Sequence, residues 1–222
     1  NSITGDSAST SLITSSSGQP TVTFKNGGFK AAGITGNVGI TINNSGGGAA
    51  VRVQDTDTLC VLRRLFTSEC GTALEIEGGS LLLDGWTVLG SAVNGIVMTG
   101  SNNTGPIINN FNPLGLTGKG IYINGDITLS ALRINDALIG STTAPMGGNG
   151  VEIAAGRTIQ GMSFTGDSVS SAGNGIKIAG NVNGGLSLDK TNILSFANDG
   201  MDITGSTFSS FIASSAGITA VA

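Results

Sequence analysis

The chain has 222 residues and a formal net charge of −4; 39% of the residues are hydrophobic, 11% are charged, and 37 are Gly. So much glycine beside so much apolar material describes many turns around a real interior, which excludes a disordered chain. With Arg63-Arg64 as its one adjacent basic pair, the sequence lacks the basic footprint that a phosphate backbone demands, so nucleic acid is not an expected partner.

No apolar run approaches the roughly 20 residues that span a bilayer, and no membrane insertion is expected. The opening NSITGDSAST lacks the basic and apolar regions of a signal peptide, and a chain running from Asn1 to a final ITAVA reads as a processed piece of something longer. Length alone allows one all-β domain or two ordinary ones.

In chain order, residues 1–37 read as a lead-in or cap and a first irregular coil, and 38–222 as a regular body. GITI from Gly39 and AAVRV with Val51 both resemble the start of a repeat, yet Ile40 and Val51 lie 11 residues apart, so which of them opens a coil stays open. Cys60 and Cys70 allow two readings: a short disulfide loop, or two small buried thiols, the favoured one.

From there a motif recurs: TALEI with Leu74, then NGIVM at Asn94, KGIYI at Lys119, NGVEI at Asn149, NGIKI at Asn174 and DGMDI at Asp199. Their glycines, Gly95, Gly120, Gly150, Gly175 and Gly200, stand 25, 30, 25 and 25 residues apart. A second apolar pair follows in phase (Leu132/Ile134, Met162/Phe164, Leu186/Leu188), and a third set falls at Ile139, Val169, Ile193 and Ile218.

A unit of three short alternating strands cannot bury its apolar side chains alone. Stacking the next copy one strand spacing away, about 4.8 Å, satisfies both side chains and backbone. The expectation is an all-β fold, a right-handed parallel β-helix (solenoid) with three strands per coil of about 25 residues. In this reading Asn-Gly turns a corner, where both residue types tolerate positive φ.

The outward position of the first strand then forms a column of Arg52, Glu75, Val97, Tyr122, Glu152, Lys177 and Asp202. A solvated ladder of alternating charge is the favoured reading, and a carbohydrate groove the sharper one. Glu152 and Asp202, two coils apart, approach the carboxylate spacing of glycoside hydrolysis, but Lys177 between them would weaken a candidate acid. Trp86 and Tyr122 offer sugar-stacking rings if exposed, with core the favoured place for Trp86, while Arg133 and Arg157 offer donors to acidic sugars. These are weak ligand-binding candidates, and no catalytic residue is assigned. The chain has no His and no zinc-type ligand set. Asp55 and Asp57 beside Arg52 are the nearest approach to a calcium cluster but read better as a turn. Neither metal nor cofactor is expected.

The coil pattern GNGIxIxG on a low-charge Ser/Thr/Asn/Gly surface resembles the trimeric right-handed β-helical spike and fibre proteins of bacteriophages. The resemblance covers roughly residues 38–222. It lacks the adjacent acidic pair and Gly-His-Gly of polygalacturonase-like enzymes. It implies a virion surface location, contact with other virion proteins, a homotrimer of side-by-side helices and binding of host-surface polysaccharide. The small or apolar outward residues Ser163, Ser187 and Ile212 agree with a packed trimer face. Enzymatic activity stays undecided, leaning against; a glycan-degrading spike is the alternative, and a secreted adhesin-type solenoid a second.

Overall fold

A computed structural model describes residues 2–5, 12–25, 31–54, 59–89, 92–100, 104–195, 197–204 and 206–220. Among them there is no helix, and every strand pairs in parallel with copies of itself one coil away, giving a β-solenoid of about 7 turns with roughly 25 residues per coil.

Sheet I stacks the first strands: Val22–Phe24, Ala49–Val53, Thr72–Ile76, Asn94–Met98, Ile121–Ile123, Val151–Ile153, Ile176–Ile178 and Met201–Asp202. Val51 therefore opens a coil, pairing with Val22, whereas Ile40 and Ile42 lie in Ala31–Asn44 on another face, sheet II. Their 11-residue separation is one first strand following one second strand around a corner.

Sheet II continues through Leu59–Thr67, Ser80–Val88, Ile107–Pro113, Leu132–Asn135, Met162–Thr165, Leu186–Asp189 and Phe211–Ser214. Sheet III stacks Leu138–Ile139, Ser168–Ser171, Asn192–Ser195 and Gly217–Ala220, and a small sheet pairs Thr158–Ile159 with Asn181–Val182. In the early coils the second and third strands run on as one, bent in the middle. From Leu59–Thr67 onward each bend carries a left-handed residue: Arg64, Gly85, Asn110, Asp136, Gly166, Lys190 and Ser215 all have positive φ and all fall between paired positions of successive coils. One residue of this conformation turns the strand from one face of the coil onto the next, and only Gly, Asn and Asp adopt it at low cost.

The Asn-Gly corner works differently from the expectation. Gly95, Gly120, Gly150, Gly175 and Gly200 are not among the positive-φ residues. Glycine stands there because the next coil approaches too closely for a side chain. A Cβ built on Gly120, Gly150 or Gly175 would lie 2.5, 2.6 or 2.5 Å from the carbonyl oxygen of the following glycine. It would also overlap a methyl of Ile139, Val169 or Ile193 from the third strand. The preceding Asn forms a ladder: Asn149 Oδ1 accepts from Asn174 N at 2.8 Å, and Asn174 Oδ1 from Asp199 N at 3.1 Å.

The core is the bore of the solenoid. Ile121, Val151, Ile176 and Ile123, Ile153, Ile178 form two inward columns of 0–1% exposure. Each such side chain contributes about 1.5–3 kcal/mol by burial. Cys60 and Cys70 are free and buried, so the disulfide alternative falls away.

Candidate functional site

The outward column of sheet I has the expected order: Arg52, Glu75, Val97, Tyr122, Glu152, Lys177 and Asp202 are paired partners in succession. Parallel in-register pairing puts like positions one strand spacing apart, so opposite charges meet along the solenoid axis. Arg52 Nη2 lies 2.6 Å from Glu75 Oε2, and its Nε lies 3.4 Å from Glu77 Oε1.

Glu152 finds its cation in an unexpected place. Lys119, two residues before Ile121, reaches up one coil to put Nζ 2.9 Å from Glu152 Oε2. On the way it lies 3.5 Å from the centroid of the Tyr122 ring, a cation–π contact that covers one face of the only tyrosine. Asn149 Nδ2 donates to the same Glu152 oxygen at 2.6 Å. Lys177 turns instead toward Asp202, at 4.0 Å from Oδ2. Asp202 Oδ1 also accepts from Thr204 N at 3.0 Å. Hydrogen bonds from the Thr204 backbone and hydroxyl, with Lys177 adding its charge, hold the Asp202 carboxyl below the usual range. The charged members of the column are thus engaged ions, Glu152 by Lys119 and Asn149 and Asp202 by Thr204 with Lys177 alongside.

Trp86 is core, not a sugar platform. It is 0% exposed, and its Nε1 donates to Thr67 Oγ1 at 3.0 Å, because the left-handed Gly85 just before it swings the indole into the bore. Arg133 is exposed but stands on sheet II between Ile107 and Ser163, away from the other candidates. Arg157 Nε donates to Asn124 Oδ1 at 3.2 Å. Asp55 and Asp57 lie outside the described residues, among which no group of three or more His, Cys, Asp and Glu is placed to hold a metal.

Sequence reasoning missed three features. Lys119 and Asn149 belong to the column although they precede the strand; their recurrence just before the repeat glycine was the available signal. Asp167 is a buried carboxyl, 1% exposed, whose Oδ1 and Oδ2 accept from Ala137 N and Thr165 N, both at 2.7 Å. Burial pushes its pKa up to about 7 against the pull of those two bonds, and nearby Asp136 adds to the rise. With both oxygens occupied by backbone, Asp167 clamps a corner and is no exposed acid.

The third is the apolar first part of an outward stripe on sheet II, Val61, Leu82 and Ile107, whose later members Ser163, Ser187 and Ile212 the sequence already placed outside. Val61, Leu82, Ile107, Arg133, Ser163, Ser187 and Ile212 are successive partners, so three apolar side chains stand outside in adjacent coils before Arg133 interrupts them. No protein-family profile, no curated protein and no solved structure matches the chain.

Proposed function

We propose that this chain is a structural, receptor-binding module of a bacteriophage spike or fibre, exposed on the virion, trimeric, in contact with other virion proteins, and holding host-surface polysaccharide without cutting it. The class comes from the resemblance of the coil motif. The observation that carries the rest is the contrast between two outward columns. On sheet I the ions are neutralised by neighbours, a surface for polar contact with solvent or glycan through Tyr122, Glu152, Lys177 and Asp202. On sheet II, Val61, Leu82 and Ile107 stack outside the bore and continue, past Arg133, into small Ser163 and Ser187, with a depression of about 320 Å³ beside the two serines. An apolar or small face of this kind supports packing against copies of itself.

Sedimentation of the parent and of Leu82→Asp/Ile107→Asp tests the assembly. A trimer that becomes a folded monomer in the variant supports the reading, and a stable monomeric parent at micromolar concentration overturns it. Incubation with host polysaccharide tests the rest: retention on the glycan without new reducing ends is expected. Cleavage abolished by Glu152→Gln or Asp202→Asn would replace this reading by the glycan-degrading one.

A further inference from the structure

The repeat between Gly120 and Gly150 is 30 residues long where its neighbours have 25. The additional chain follows the third strand: Ile139 precedes its repeat glycine by 11 positions, whereas Val169 and Ile193 precede theirs by 6 and 7. It is folded, with Ser141 and Ala144 exchanging backbone hydrogen bonds of 3.0 and 3.2 Å. It is also tied down on both sides. Gly115 N donates to Ala144 O at 3.0 Å, and Met146 N donates to Ser170 O at 3.0 Å, in the coils before and after.

This fixed projection walls one end of a groove of about 440 Å³ on the outer side of sheet III, lined by residues that include Leu138, Ser141, Thr142, Ser170, Asn192 and Leu194. The volume lies within the roughly 300–1,000 Å³ of ordinary small-ligand sites. Ser170 is 3% exposed, and its Oγ has no hydrogen-bond partner among the described residues. Its neighbour Ser171 shows the contrast: that hydroxyl donates to Asn174 O at 2.8 Å and closes a corner. A buried hydroxyl left unpaired is destabilising, so the fold alone gives no reason for Ser170.

None of the described residues lining the groove is ionisable. An acidic sugar or a phosphate entering it would lose hydration without gaining a cation. A neutral sugar would exchange hydroxyl hydrogen bonds with Ser, Thr and Asn and lay its C–H face on Leu138 and Leu194. We propose that this groove is a binding site for a neutral saccharide segment, separate from the sheet I column. It takes its ligand class from the polysaccharide-binding reading but uses none of the residues invoked there.

Titration of the full chain with the neutral oligosaccharides maltotriose, cellotriose, chitotriose and mannotriose, and with trigalacturonic acid and sialyllactose, followed by saturation-transfer NMR and calorimetry, tests the site. A neutral probe is expected to bind at millimolar concentration or better, weakened about threefold to tenfold by Ser170→Ala and by Asn192→Ala. Thr142→Trp is expected to abolish the binding by filling the groove, with the thermal unfolding of all three variants confirming that they are folded. Binding lost in Tyr122→Ala but unchanged in the three groove variants overturns this inference and leaves the polysaccharide reading standing. Preference for the acidic probes also overturns it. Failure of every neutral probe to bind also overturns the groove site, while the polysaccharide reading stands or falls on retention of host polysaccharide by the parent protein.

Discussion

Gly175 and Ile193 are packed so closely that no side chain fits between them: a Cβ on the glycine would overlap the isoleucine Cγ2 methyl and stand 2.5 Å from the carbonyl oxygen of Gly200. Gly175→Ala is therefore expected to destabilise the solenoid by about 1–3 kcal/mol through overpacking at an ordinary φ. Gly156 is the control, with φ +75 and nothing within 4 Å of its would-be Cβ. Gly156→Ala should cost about 1 kcal/mol through backbone strain, most of it recovered in Gly156→Asn. Urea midpoints measure all three, and a Gly175→Ala protein as stable as the parent would refute the close-approach account.

Asp167 makes stability depend on pH. Burial raises its folded pKa from 3.8 to about 7, so the folded state holds this proton more tightly than the unfolded chain. The contribution is complete below about pH 4 and is lost as pH rises through about 7, an effect of up to a few kcal/mol. Urea midpoints recorded across that range should fall with rising pH in the parent and flatten in Asp167→Asn. Equal slopes in the two proteins would remove Asp167 as the cause.

Trp86 is the only tryptophan and is fully buried. Its fluorescence should be blue-shifted, resistant to acrylamide and unmoved by added saccharide. Trp86→Phe keeps an aromatic ring in the bore but leaves buried Thr67 Oγ1 without its donor, an expected loss of about 1–3 kcal/mol. Quenching by a bound glycan would place the indole at the surface instead.

The two thiols should be silent in the native protein. Burial pushes both Cys60 and Cys70 up to about 12, so almost no thiolate exists at neutral pH. A thiol reagent should modify neither until the chain unfolds, then both. Rapid native labelling of either would contradict its place in the core.

The strand repeat is legible in the bare sequence because burial in a solenoid is decided by residues close together along the chain. Ile176 and Ile178 alternate around Lys177 in any coil that stacks, and the 25-residue step then carries Glu152, Lys177 and Asp202 into one column. The reason for the repeat glycine is not legible there. Positive φ and close approach select the same residue, and only the position of Ile193 and the Gly200 carbonyl distinguishes them. The left-handed bends are hidden for the opposite reason: Arg64, Lys190 and Ser215 adopt positive φ with residue types that give no local signal, held there by the pairing on either side.

Local alternation and a fixed period by themselves determined the architecture, since a parallel stack is the arrangement in which every copy of such a unit buries its apolar side chains and pairs its backbone. Tertiary structure alone decided which polar groups are occupied. Lys119 reaches Glu152 across one coil, Trp86 turns inward onto Thr67, and Ser170 Oγ finds no partner among the described residues. Those outcomes depend on side-chain reach and on contacts between coils about 25 residues apart, a separation over which the repeat sets register but not which neighbour a given atom will meet.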